Sequence, residues 1–362
     1  MATILLFLAI FVVLILGYPV ALSLAGTALI AAAIGIATGS FEPAFLTAMP
    51  SRLFGIITNQ TLIAVPLFIL MGVTLEKTRI AQQLLDTMSR VFGGLPGGLG
   101  LSVTIVGTLM AASTGIVGAT VVTMGLMSLP AMLNARYDVP LATGTICATG
   151  TLGQIIPPSI ALVLLGDVLS NAYQQAQLSV GIFNPKTVSV GHLFAGAIIP
   201  GLVLVFLYTI YIVSTATLNP EKAPPVKTGS ITFTLMMGSI FPPLLLIIAV
   251  LGSILAGIAT PTEAAGVGAM GALTLAAIRR ELSLRHLQEI ALSTTKTTAM
   301  VFFILIGASM FSLVFRGYGG DELVHGWLSG LPGGVIGATV VVMLVIFLLG
   351  FILDFIEITF VV

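Results

Sequence analysis

The chain has 362 residues, 57% of them apolar and 7% charged, with a formal net charge of zero. Soluble domains carry about a quarter charged residues, so this is the composition of a polytopic membrane protein, and the charge balance excludes a basic nucleic-acid surface. The one cysteine, Cys147, excludes an intrachain disulfide, and His192, His286 and His325 are too dispersed to form a ligand cluster. Walker A, HExxH and GxSxG patterns are missing, and GxGxxG occurs at Gly266 to Gly271 inside an apolar run with no strand pattern before it, so nothing points to a nucleotide-driven pump, a hydrolase or a cofactor.

A membrane crossing needs about 20 apolar residues. In chain order the candidates are 2–37, 61–76, 98–133, 140–170, 191–216, 233–257, 262–278, 290–316 and 332–362. The first run has no basic leader or cleavage site and reads as a retained span. As one tilted span kinked at Gly17-Tyr18-Pro19 it starts inside; as two short spans it starts outside. Further on, Ile80, Leu84, Leu85, Met88 and Phe92 have helical spacing, which predicts an amphipathic helix over 80–92 on the membrane surface.

As continuous helix the 98–133 run would be roughly 54 Å long, against about 30 Å of hydrocarbon. Small residues interrupt it from Ala112 to Thr120, predicting a re-entrant hairpin. The 140–170 run is interrupted from Thr149 to Ser159, predicting one crossing made of two half-helices. With that topology Lys77, Arg79, Arg90 and Arg136, then Lys222 and Lys227, then Arg279, Arg280 and Arg285 all fall on one side. The positive-inside rule makes that side cytoplasmic, and 171–189 and 317–330 then face outward.

Gly94-Leu95-Pro96-Gly97-Gly98 recurs as Gly330-Leu331-Pro332-Gly333-Gly334. The copies fall on opposite sides, which makes an inverted repeat. Counted from the repeat, the first break maps onto Leu349 to Asp354, placing a second hairpin tip at Asp354 and Glu357. Nothing follows to mirror the 140–170 broken helix, so the sequence reads as C-terminally truncated. The predicted fold is an all-α polytopic membrane protein, an inverted repeat with re-entrant hairpins and broken helices. The expected organisation is first scaffold spans and an amphipathic arm over 1–92, then the first transport-domain half over 93–190. Second scaffold spans and arm follow over 191–330, and an incomplete second transport half over 331–362.

In hydrocarbon a freed backbone N–H or C=O must find another partner. A single glycine-rich patch is explained by close helix packing; two breaks, one with a double proline, favour an ion or substrate site. Carbonyls and hydroxyls around Ser113, Thr114, Gly115, Gly118, Thr149, Gly150, Thr151 and Gly153 are oxygen ligands suited to a hard cation such as Na⁺. Pro157, Pro158 and Ser159, beside half-helix N-termini, and the carboxylates of Asp354 and Glu357 are candidates for an anionic substrate or a second ion. Ala259-Thr260-Pro261-Thr262-Glu263 predicts a helix cap with Pro261 in the first turn.

These segments, with Leu193-Phe194-Ala195-Gly196-Ala197-Ile198-Ile199-Pro200-Gly201, resemble in order the large membrane subunit of the tripartite ATP-independent periplasmic (TRAP) transporters. The resemblance implies Na⁺-coupled uptake of organic anions, such as C4-dicarboxylates or sugar acids, by an elevator-type motion in a bacterial inner membrane. It implies two partners besides the bilayer: a small membrane subunit on a separate chain and a periplasmic substrate-binding protein. The 113–120 break then resembles the first hairpin tip, 149–159 its unwound partner loop, and Asp354 the second tip. A self-sufficient anion carrier of related architecture is the nearest alternative. An intramembrane enzyme using Asp354 and Glu357 lacks a nucleophile or metal set, and a channel would not saturate.

Overall fold

A computed structural model describes residues 2–78, 80–114, 117–226, 233–351, 353 and 355–361, and among them every regular element is helical. The α-helices are α1 (Ala2–Ile15), α2 (Val20–Thr38), α3 (Met49–Thr58), α4 (Ala64–Lys77), α5 (Ile80–Phe92), α6 (Gly98–Thr114), α7 (Val117–Asn134) and α8 (Val139–Thr151). There follow α9 (Ile160–Ser179), α10 (Val190–Leu218), α11 (Phe233–Leu255), α12 (Pro261–Ile278), α13 (Leu284–Gly317), α14 (Gly320–Ser329), α15 (Gly334–Leu349) and α16 (Phe355–Val361). Among the described residues four helices are long and apolar enough to cross a membrane, or up to six if each bent pair is one span. Large apolar side chains such as Phe206, Ile199 and Leu126 stand exposed, as a lipid-facing surface requires. The chain forms two compact units, residues 1–59 with 298–362, and residues 60–297.

In the first unit, Thr3 Oγ1 donates to Tyr318 O (2.8 Å) and Tyr318 Oη donates to Ala31 O (2.7 Å). A single rod would hold residues 3 and 31 about 42 Å apart, so α1 and α2 are antiparallel and 2–37 is not one tilted span. The reversal uses Gly17 at φ +79° and Pro19, which has no N–H to continue α1. Helix α2 then runs parallel to α13: a Cβ at Gly307 would overlap the Ala21 carbonyl, and one at Gly35 would overlap Tyr318. Small residues permit this backbone-to-backbone approach.

The second unit contains the corresponding pair. Helix α4 runs parallel to α12, from Gln60 O, which accepts from Thr262 Oγ1 (2.8 Å), to Met71, whose sulfur would lie 2.7 Å from a Cβ at Gly268. Ala264, Ala265, Gly268, Ala269, Ala272 and Ala276 form the buried stripe of α12 at helical spacing. The two pairs expose a longer repeat than the Leu-Pro-Gly-Gly match: Phe68-Ile69-Leu70-Met71-Gly72 in α4 answers Phe303-Ile304-Leu305-Ile306-Gly307 in α13. Each such helix lies on a small-residue helix from the other half of the chain. The Leu-Pro-Gly-Gly copies also share geometry, with Gly97 at φ +76° and Gly333 at φ +94°.

The basic loops of the second unit converge on one end. Val226 N donates to Gly93 O (2.7 Å), Gly97 N to Ala223 O (2.9 Å) and Asp138 N to Lys222 O (2.9 Å). Arg279 and Glu281 bond Gln83 on α5 at 2.7 and 2.8 Å. Arg90, Arg136, Lys222, Arg279 and Arg280 therefore share one face, as the charge pattern predicts; Arg79 and Lys227 lie outside the described residues. Helix α5 forms as predicted, but Ile80, Ala81, Leu84 and Leu85 are buried against protein, α6 and α11 among it, so its apolar face does not lie on lipid.

Candidate functional site

Helices α6 and α7 form a closed helical hairpin. A Cβ at Gly107 would lie 3.7 Å from Met124 Cε, and at the base Tyr137 Oη accepts from Leu99 N (3.2 Å) and Gly100 N (3.4 Å). Residues before and after the tip are thus paired in reverse order, and both arms return to the basic end. Burial holds the Tyr137 phenol above its ordinary range, while the N–H groups of Gly100 and Leu99 pull the other way. Along α6, Ser102, Thr104 and Thr108 turn their hydroxyls back onto carbonyls four residues earlier, which leaves few polar atoms facing the apolar surroundings.

The second predicted break is also present. Helix α8 ends in a 3-10 turn at Leu152–Gln154, and α9 starts at Ile160 after a cis Pro157-Pro158 bond. Prolines 157 and 158 bring no N–H groups for the carbonyls of Gly153 and Gln154. Ser159 Oγ donates to Gln154 O (2.6 Å) and caps α9 by accepting from Leu162 N (3.4 Å). The two half-helices run antiparallel to α10 along its length. Thr145 and Thr149 share a cavity of 490 Å³ with Tyr208, Tyr211 and Lys222; Ile156 packs on Gly201; Gly166 packs on Val190. They therefore make one interrupted crossing.

The broken helix is seated between the hairpin arms. A Cβ at Gly107 of α6 would be 2.9 Å from Thr149 Cβ, and one at Gly150 would overlap Val121 Cγ2 of α7 and lie 3.1 Å from Val121 Cα. This brings Thr149, Gly150, Thr151 and Gly153 beside the arms that carry Ser113, Thr114 and Gly118. The carbonyl ends of α6 and α8 favour a cation, and the N–H ends of α7 and α9 favour an anion.

Several predicted details change. The hairpin break is narrower than Ala112 to Thr120, because α6 continues through Thr114 and α7 resumes at Val117. The side chains of Ser113 and Thr114, and all of Gly115, lie outside the described residues. Thr149, Gly150 and Thr151 are the last turn of α8 rather than an unwound loop. Thr149 Oγ1 donates to Thr145 O (2.7 Å) and Thr151 Oγ1 to Ala148 O (2.7 Å), so each hydroxyl keeps only lone pairs for a ligand. Pro157, Pro158 and Ser159 are buried, Ser159 serving as the cap. Thr260 and Glu263 form the predicted cap as a full capping box. In the window that the repeat marks for a second tip, α15 ends at Leu349 and α16 starts at Phe355. Asp354 lies outside the described residues, and Glu357 is buried in the first turn of α16, in the unit containing 298–362. Sequence reasoning passed over Glu76, whose carboxylate accepts from Thr123 Oγ1 on α7 (2.8 Å).

The family model of the DctM component of the tripartite ATP-independent periplasmic transporters matches residues 7–362. The chain belongs to this family. Among curated relatives, the C4-dicarboxylate TRAP large permease DctM of Rhodobacter capsulatus is 32% identical over 289 residues, 76% of this chain and 62% of that protein. The protein of the same description from Pseudomonas aeruginosa is 29% identical over 295 residues, 80% of this chain and 64% of its own length. The ectoine TRAP large permease TeaC of Halomonas elongata is 30% identical over 259 residues, 71% and 56% respectively. This DctM-family chain thus spans less than two thirds of the length of these relatives, which are transporter permeases and not enzymes.

Proposed function

We propose that this chain is the large permease subunit of a Na⁺-coupled, binding-protein-dependent importer of organic anions in a bacterial inner membrane. The observation that carries the reading is the interrupted α8–α9 crossing clamped between the two arms of the α6–α7 hairpin at Gly107 and Val121. Two carbonyl ends and two N–H ends then meet in one apolar body, which suits a cation and a carboxylate bound side by side. Relatives are named for C4-dicarboxylates and ectoine, both of which carry carboxylate groups. The partners that follow are a small membrane subunit and a periplasmic binding protein that delivers the substrate. In the elevator reading, hairpins and broken helices move as one block against spans that keep their depth. Crosslinks between block and scaffold stop transport under this reading.

The decisive experiment is uptake by the full-length protein reconstituted with both partners, with and without a Na⁺ gradient. Uptake requiring both Na⁺ and the binding protein is the expected result. Uptake driven only by a proton gradient overturns the cation role of Thr149 and Thr151. Uptake without the binding protein turns the reading toward a self-sufficient carrier.

A further inference from the structure

We infer that the cavity between α8 and α10 holds a phospholipid of the cytoplasmic leaflet, one whose head group carries a phosphate and a primary ammonium, as in phosphatidylethanolamine. On α10 the wall is Tyr208, Tyr211, Ile212 and Thr215, one helical face at i, i+3, i+4 and i+7. On α8 it is Leu141, Gly144, Thr145, Ala148 and Thr149, again a single face. From Asp138 to Thr149 this wall rises about 16 Å, close to half of the ~30 Å hydrocarbon core. The groove, 490 Å³ in volume, is therefore about one leaflet deep. Gly144 and Tyr211 are exposed on its rim, so it opens sideways to the surroundings.

The two ends of the groove differ in chemistry. At the deep end Thr104 Oγ1 donates to Gly100 O (3.0 Å) and Thr149 Oγ1 to Thr145 O (2.7 Å), so these hydroxyl protons are spent within their own helices. Leu141, Ala148 and Ile212 complete a wall suited to an acyl chain, and a Cβ at Gly144 would meet nothing within 4 Å. At the other end stand Asp138 and Lys222, held together by the Asp138 N to Lys222 O bond (2.9 Å). Here the basic loops converge, which puts the head groups of the cytoplasmic leaflet at this level. Lys222 suits the phosphate through a charge-assisted hydrogen bond, and Asp138 suits a primary ammonium in the same way. A choline has no N–H to give Asp138, and a glycerol head group brings it no positive charge. A soluble anion would leave the apolar wall unused, whereas an amphiphile uses both ends. The inference rests on the chain spanning a membrane with its basic loops inside, and not on Na⁺ coupling.

The test is native mass spectrometry of the purified full-length protein, delipidated in detergent and titrated with phosphatidylethanolamine, phosphatidylcholine and phosphatidylglycerol of one acyl composition. The native protein binds one phosphatidylethanolamine about tenfold or more tightly than either other lipid, the equivalent of one charge-assisted contact. Lys222→Gln weakens all three lipids, because all carry the phosphate. Asp138→Asn narrows the preference for phosphatidylethanolamine and leaves the start of α8 intact, since the Asp138 side chain makes no cap bond. Gly144→Leu fills the groove and weakens all three by about tenfold or more. Size-exclusion profiles identify any misfolded variant, and Lys222→Gln, at an exposed position, serves as the second probe. Equal affinity of the native protein for the three lipids overturns the inference. So does binding of none of them, or native-like binding in Gly144→Leu or Lys222→Gln. Each of those results leaves the transporter reading standing, and uptake that fails while lipid binding persists leaves this inference standing.

Discussion

Gly150→Ala tests whether the broken helix is clamped by the hairpin. The added Cβ would overlap Val121 Cγ2 and sit 3.1 Å from Val121 Cα and 3.2 Å from its Cβ. Relief by side-chain rotation is incomplete, because the Cα and Cβ positions belong to α7 itself, so α7 and α8 must part. Overpacking of this kind costs about 1–3 kcal/mol. If the parted helices are inactive, the competent population falls by about fivefold to 150-fold. The assay is the initial rate of Na⁺-driven uptake in proteoliposomes, paired with a thermal unfolding midpoint. Adding Val121→Ala removes the overlapping Cγ2 and leaves only the 3.1 and 3.2 Å contacts, so the double variant recovers part of the loss. Gly125→Ala, with open space at its Cβ, serves as the control on α7. Native-like uptake and stability in Gly150→Ala, or no recovery on adding Val121→Ala, would refute the clamp.

Tyr137→Phe leaves the N–H groups of Leu99 and Gly100 without their buried acceptor and lowers stability by about 1–3 kcal/mol, measured as a thermal shift. Because burial raises the phenol pKa, its stabilisation is fully present below the ordinary value of 10.0 and is lost as pH rises through the folded value; Tyr137→Phe lacks that alkaline decline. Thr260→Ala breaks the capping box of α12 and costs about 1 kcal/mol in the same assay, while Thr260→Ser retains most of it. Arg136 follows α7 at φ +60°, so Arg136→Gly relieves left-handed strain and raises stability by about 1 kcal/mol; an unchanged or lower midpoint contradicts this.

The hairpin and the broken crossing were legible because apolar runs too long for the bilayer carried small residues and prolines at their centres. The convergence of basic loops was legible because charge at helix ends follows membrane side. The reversal after α1 was not, since Gly17 and Pro19 serve a kink or a turn equally, and only Tyr318, far along the chain, distinguishes them. The cover over α5 was not legible either, because an apolar helix face looks the same whether lipid or protein meets it. The width of the hairpin break was not legible, because small residues permit a helix as readily as a turn. Glu76 escaped notice because its partner Thr123 lies 47 residues away.

The parallel seating of α4 on α12 sets a condition on biogenesis. Helix α12 begins at Pro261, 184 residues after α4 ends at Lys77 (261 − 77). At ribosomal speeds of about 5–20 residues per second, α4 leaves the ribosome roughly 10 to 40 seconds before its partner has been synthesised. Through that interval the face later covered by Ala264, Gly268 and Ala272 is held by lipid, by the translocon or by an insertion factor. A nascent chain stalled before Pro261 therefore presents α4 as an orphan helix, the form that membrane quality control would meet first.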